Sequence, residues 1–415
     1  MNFDESTVIC LSTNHKQILA VDTEQSIDQI PKLKYIPLNV SDSIYTKFQS
    51  TILNKQRGQN KIFVIVSILS GAQHAKPFFE TVLEPLLKEL DLDGKYNVEY
   101  TKNANSIIDL TTSVISKNAM QGIGQTVILL SGDGGIVDIL NALEDPIDSP
   151  SFIPPQISLI PMGTGNALAN SSGISFDKTV GLSTLARGTA HNLPIFRATF
   201  SPGARLLVNE ARDEEELPRK DSDGNPFMYG AVVCSWGLHA GLVADSDTAE
   251  YRKFGVDRFK MAATEALFPK DESDPHHYKA KISILGQGMS QWKDLDRTEH
   301  AYVLVTLVSS LEKNFTISPH SKPLNNTLRI IHFGPLLGDE VMRLMNLAYQ
   351  GGKHIGEDAV SYEEVEAVRI NFEGRESDGR WRRICLDGKI LRVEADGWVE
   401  IRKEKKTLVQ LRHLE

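Results

Sequence analysis

Apolar residues in the first half of this chain fall into short unbroken runs, and after Ala190 they fall into strand-like segments set among turns. Lys61–Ser67, KIFVIVS, is β-branched and almost wholly apolar, the pattern of a strand buried on both faces. A helix over Pro77–Glu89, a strand over Tyr96–Thr101 and a helix over Ser106–Lys117 follow. Two strand–turn–helix units come next. Val127–Leu130 leads into the turn Ser131–Gly135, and Ile136, Ile139, Leu140 and Leu143 then recur at helical spacing. Ile157–Ile160, the turn Pro161–Gly165 and a helix from Asn166 repeat the unit. This alternation predicts a doubly wound α/β domain with a mainly parallel sheet and its ligand at the carboxyl ends of the strands.

Ahead of that domain, residues 1–57 read as an accessory region, with short strands at Thr7–Leu11, Ile18–Val21 and KLKYIPL, and a helix over Asp42–Gln56. Beyond it, strands are expected at Arg197–Phe200, Arg205–Asn209, Met228–Ser235, Tyr278–Leu285, Tyr302–Leu307, Leu328–Ile331, Val365–Phe372 and Leu391–Ile401. They predict a β-rich second domain of sandwich type. Its helices are Arg258–Phe268 and Asp339–Tyr349, and the charged stretch Ala211–Pro226 reads as a solvated loop. The domain boundaries expected are 58–195 for the α/β part and 196–384 for the β-rich part, with 385–415 as a closing segment.

The formal charge of −9 argues against a broad nucleic-acid surface. The three cysteines are scattered and suit a reducing compartment rather than a disulfide framework. The opening residues MNFDEST lack the basic and apolar pattern of a secretory signal. No apolar run approaches the ~20 residues that span a bilayer. A cytoplasmic protein, at most peripheral to a membrane, is therefore expected.

A strand, a glycine turn and a helix start place bare backbone N–H groups at the positive end of a helix, a ready site for phosphate. Here two such turns stand in tandem, Ser131-Gly132-Asp133-Gly134 and Met162-Gly163-Thr164-Gly165-Asn166, the first with an acid between glycines. SGDG followed by PMGTGNALA resembles the catalytic region of the diacylglycerol kinase and sphingosine kinase superfamily. The spelling leans to the sphingosine kinase branch. Residues 232–259 are similar to a segment of that branch in which W-G and A-D-x-D lead into Y-R-x-x-G-x-x-R-F. The matching run covers about residues 60–403.

The resemblance implies an α/β domain like those of NAD kinases and diacylglycerol kinases, followed by a β-sandwich-like domain, with 385–415 returning toward the nucleotide domain. It implies ATP and Mg2+ as cofactors and a lipid substrate met at a membrane surface, with no nucleic-acid partner and a homodimer as a candidate assembly. Asp133 takes the place of the catalytic base. Ser67, Ser70, Gly71, Thr101, Ser131, Gly132, Gly134, Asp138, Gly163, Thr164, Gly165 and Asn166 line the nucleotide site. Arg252 and Arg258 face its phosphates, Asp387 and Gly388 belong to a turn that returns to it, and Asp245 faces the lipid's amino and hydroxyl groups. No metal ligands are named, and the histidines His276, His277 and His354 have no metal-site spacing. Ser67, Ile68, Gln73, Gly135 and Lys389 depart from the family pattern. The expected activity is ATP-dependent phosphorylation of the primary hydroxyl of a sphingoid base. The alternatives are a diacylglycerol or ceramide kinase, or a degenerate binding protein with little turnover.

Overall fold

The computed structural model describes residues 4–14, 16–27, 30–37, 47–51, 60–146 and 149–414. Most of the helix expected over Asp42–Gln56 lies outside the described residues; Lys47 and Phe48 are helical. The chain divides into two compact units, 1–193 with 407–415, and 194–406.

The first unit is built on a sheet of β4 (Lys61–Val66), β5 (Tyr96–Tyr100), β6 (Gln125–Ser131), β7 (Gln156–Pro161), β8 (Thr189–Asn192) and the late strand Gln410–His413, ordered β5-β4-β6-β7-(410–413)-β8. β4 to β7 are mutually parallel, the late strand is parallel to β7, and β8 runs antiparallel to the late strand. Every residue of β6 is buried, which accounts for its unbroken apolar run. Helices α1 (75–89) and α2 (106–120) each contain a π turn. In α1 the π turn Phe79–Leu83 ends two residues before Pro85, which has no N–H to give. Phe78, Phe79, Leu83, Leu86 and Leu87 of α1 pack in one core with Val64, Val66, Ile128 and Leu130. A three-stranded antiparallel sheet, β1 (Val8–Leu11), β2 (Gln17–Ile27) and β3 (Ile30–Pro37), adds Ile9, Cys10, Leu19 and Val21 to the same core.

The chain leaves β4 toward β5 on one side and returns to β6 on the other. The order therefore switches at β4, and the loops after β4 and β6 flank the crevice where such folds bind ligands.

The second unit is antiparallel and β-rich. Its long strand Ser361–Asn371 pairs through residues 361–364 with Arg329–Phe333, and through 365–371 with Lys281–Gly286 and Trp398–Lys403, so one strand serves two sheet segments. Trp236 is fully buried, as a core residue should be. Several expectations need correction, among them the single strand Leu391–Ile401, which is two strands, Lys389–Arg392 and Trp398–Lys403. Residues 211–226 are not all loop, because Asp213–Glu216 pairs with Arg205–Val208 and Arg219–Lys220 with Pro226–Gly230. The backbone ladder outweighs the low strand propensity of the acidic residues. Met228–Ser235 is two strands, Pro226–Gly230 and Val233–Gly237, that pair with different neighbours. Of the segment expected to return, 385–406 stays in the second unit and only 407–415 joins the first.

Candidate active site

Three glycine-bearing turns meet at the carboxyl edge of the first sheet. They follow β4 (67–74), β6 (131–134) and β7 (162–166), the last two opening α3 (Asp133–Ala142) and α4 (Ala167–Ser171). Their contacts are backbone on backbone. A Cβ on Gly163 would lie 2.5 Å from the Gly132 Cα, and one on Gly71 would lie 2.4 Å from the Met162 carbonyl oxygen. No side chain fits between these turns, so glycine is required by contact at Gly163, and at Gly71, which takes φ 51°, by conformation as well.

Asn166 locks the third turn. It sits in the left-handed region at φ 52°, accepts from the Gly163 N–H at 2.8 Å and donates back to the Gly163 carbonyl at 2.7 Å. Among the described residues, none accepts from the backbone N–H of Gly134, Thr164 or Gly165. Those donors form the cradle that a phosphate chain fits.

Asp133 ties the second turn to the third. Its carboxylate oxygens accept from the Ala167 N–H at 2.7 Å and the Leu168 N–H at 3.0 Å. Each oxygen keeps a further lone pair for an alcohol proton. Desolvation of the carboxyl pushes its pKa up, and the Leu168 and Ala167 N–H groups offset only part of that rise. A raised carboxyl is a stronger base than a solvated one.

The departures at Gln73 and Gly135 have structural counterparts. Gln73 is exposed and adopts φ 63°, so the loop keeps a glycine-like backbone without the glycine. A Cβ at Gly135 would lie 2.7 Å from the Ser131 hydroxyl, so the glycine makes room for that serine. Ser67 is buried at the end of β4, where its carbonyl accepts from the Ser70 N–H. Thr101 uses its hydroxyl within the sheet, accepting from the Ile68 N–H at 3.2 Å. Asp138 is partly buried on α3, two residues past Ile136.

The remaining candidates belong to the second unit. Arg252 and Arg258 share Asp247, at 3.0 and 3.7 Å, and the Arg258 Nε is buried without a partner. Asp245, on α5 (Leu238–Ser246), is held at 2.9 Å by Arg380 and at 2.8 Å by Arg383. Burial would raise its pKa, but Arg383 and then Arg380 more than offset this and hold the carboxyl below the usual range. Asp387 and Gly388 both take positive φ, 46° and 87°, as the two-residue turn joining Arg383–Leu386 to Lys389–Arg392. The Asp387 carboxylate accepts from the backbone N–H groups of Ala231, Val232 and Val233. It is a structural anchor in this geometry. Sequence reasoning missed Asp247, Arg380 and Arg383. The last two lie in the basic run Arg380-Trp381-Arg382-Arg383, which was the available signal.

A doubly wound sheet with paired glycine turns and a carboxylate between them is an arrangement suited to holding and transferring phosphate. Residues 61–198 match the diacylglycerol kinase catalytic domain family. Sphingosine kinase 1 of Mus musculus is 20% identical over 364 residues, covering 81% of this chain and 87% of that protein. Sphingosine kinase B of Dictyostelium discoideum is 28% identical over 174 residues, covering 41% of this chain and 22% of that protein. The crystal structure of a diacylglycerol kinase from Bacillus anthracis str. Sterne aligns with TM-score 0.54 at 14% identity, covering 86% of this chain and 97% of the other, and shares the fold. The chain is thus similar to the diacylglycerol kinase and sphingosine kinase superfamily, through the family model over residues 61–198 and through relatives such as the Mus musculus protein over 81% of its length.

Proposed function

We propose that this lipid kinase transfers the γ-phosphoryl group of ATP to the hydroxyl of a sphingoid-type lipid, with Asp133 as general base. The observation that carries the reading is the Asp133 carboxylate set between two glycine turns whose amides at Gly134, Thr164 and Gly165 have no acceptor among the described residues. Phosphoryl transfer asks mainly for positioning and charge neutralisation, and fixed amides supply both. The sphingoid backbone rests on the relatives named above. Magnesium supplies charge neutralisation when bound. Among the described residues no group of three potential ligands gathers, which fits an ion held through phosphates and water with one carboxylate such as Asp138. No described helix is long and apolar enough to cross a membrane, and the lipid is met at a membrane surface.

Labelled ATP and a panel of sphingoid, N-acylated and glycerol lipids test this. The expected result is a phosphorylated lipid product with the wild type and a loss of about 10²–10⁴-fold with Asp133→Asn. Equal lipid-dependent turnover by the two proteins would refute the role of Asp133, and ATP consumption without a lipid product would refute the lipid acceptor.

A further inference from the structure

The open amides of the turn after β7 can face a phosphate only if their peptide planes are held. In a trans peptide the carbonyl oxygen and the following N–H point in opposite directions, so whatever grips the carbonyl aims the N–H. Asn166 grips the Gly163 carbonyl at 2.7 Å, which points the Thr164 N–H the other way. Further along, the Ala167 and Leu168 N–H groups are both taken by Asp133. Between these fixed ends lies the peptide joining Gly165 to Asn166. Gly165 has no side chain to restrain it, and Asn166 sits at φ 52°, outside the helical ladder.

A second asparagine holds that peptide from beyond the turn. Asn170, on α4, donates from its Nδ2 to the Gly165 carbonyl at 2.7 Å. Among the described residues no backbone N–H donates to that carbonyl, so the side chain is what holds it. The Asn166 N–H, across the same peptide, is thereby turned away from Asn170, and among the described residues it has no acceptor. Asn170 is only 6% exposed. Its N–H donates to the Asn166 carbonyl at 2.8 Å, and its own carbonyl accepts from the Gly173 N–H at 3.2 Å, so the side chain starts from a fixed backbone. Buried and engaged, it acts through the peptide it grips and does not itself reach a ligand.

We infer that Asn170 is a positioning residue for the nucleotide phosphates: by gripping the Gly165 carbonyl it aims the Asn166 N–H into the cradle. The N–H groups from Thr164 to Leu168 then divide in two. Thr164, Gly165 and Asn166 form a row of three open donors, the concave arrangement that suits an anion, and Ala167 and Leu168 hold the carboxylate of the proposed base. One short segment thus sets the phosphates and the base relative to each other, and Asn170 fixes where the division falls. This rests on the phosphotransfer reading above and goes beyond it, because it gives the third donor to a residue that ATP does not touch.

The test uses Asn170→Leu, which keeps the branched shape and removes the donor, and Asn170→Ala, which guards against a misfit of the leucine. Asn118→Ala is the control. Asn118 is equally buried at 6%, and it bonds Lys61 at 2.9 Å and Gln125 at 3.0 Å at the amino edge of the same sheet. Each full chain is titrated with ATP and magnesium, and separately with adenosine, by displacement of a fluorescent ATP analogue. Adenosine lacks the phosphates, so a general loosening of the fold weakens both ligands while a lost phosphate donor weakens only ATP. The expected result is that both Asn170 variants bind ATP at least about tenfold more weakly and adenosine within about twofold of the wild type. Asn118→Ala should lower the thermal midpoint and leave both affinities unchanged. ATP affinity retained in the Asn170 variants, or ATP and adenosine weakened by the same factor, overturns the inference. A wild type that binds ATP no more tightly than adenosine overturns it together with the kinase reading. The expected pattern without any phosphorylated lipid upholds the role of Asn170 and refutes only the lipid acceptor.

Discussion

The two units solve the problem of holding polar groups in opposite ways. In the first, the site is made of backbone: Gly132, Gly163 and Gly71 touch through main-chain atoms, and the one carboxylate at the centre, Asp133, is held by main-chain N–H groups. In the second, main-chain N–H groups hold only the anchor Asp387 among the candidate residues, and the exposed candidate clusters are side chain on side chain: Asp245 with Arg380 and Arg383, and Asp247 with Arg252 and Arg258. A backbone site tolerates no added atom but needs few particular side chains. A side-chain site tolerates extra volume but fails when a partner is lost.

The largest effect that would sharpen this contrast is acid sensitivity of the second unit. Burial pushes His239, His300 and His332 down to about 4 from 6.5. Arg297 pushes His300 and His332 the same way, and only the Ala280 carbonyl and Glu299 oppose it at His300. The folded state therefore prefers these rings neutral. Their stabilisation is complete above pH 6.5 and is lost as pH falls through the folded value of about 4, by about 3 kcal/mol for each ring. All four tryptophans, Trp236, Trp292, Trp381 and Trp398, lie within 194–406, so tryptophan fluorescence reports this unit alone. An unfolding midpoint that stays flat over that window would break the account.

Gly163→Ala comes next. Its methyl carbon would lie 2.5 Å from the Gly132 Cα and 2.8 Å from the Asn166 Oδ1, so the turns must separate. The expected cost is about 1–3 kcal/mol, together with loss of ATP-induced thermal stabilisation. Retained ATP binding would show that the turns yield without harm. Asp387→Asn should destabilise the second unit by about 2 kcal/mol, because the amide accepts with one oxygen where the carboxylate serves three N–H groups with two. Denaturant midpoints measure this, and unchanged lipid-dependent kcat in the folded fraction marks Asp387 as structural. The smallest effect is Gln73→Gly, which should stabilise by less than about 1 kcal/mol by relieving a left-handed glutamine.

This contrast also explains what could be read from the sequence. The first unit's strands and turns were legible because buried parallel strands leave unbroken apolar runs and close backbone approach leaves glycines. SGDG and GTGN state their geometry outright. What Asp133 bonds was not legible, since its partners Ala167 and Leu168 lie 34 and 35 residues on and contribute only main-chain atoms. The ion pairs of Asp245 span 135 and 138 residues, and nothing local to ADSD signals them. The strands inside 211–226 were hidden for a related reason. Their acidic composition reads as loop, and their order comes from a neighbouring strand.

The late strand Gln410–His413 lies between β7 and β8, and its Leu411 pairs with Ile157 on one side and His191 on the other. The parallel sheet therefore stays unfinished on the ribosome until the intervening 194–406 have been synthesised, and its β7 edge must wait open for more than two hundred residues. Birth of the catalytic half is thus tied to completion of the other half, and a message cut short upstream of residue 410 would release a chain with a raw, adhesive strand edge instead of an enzyme.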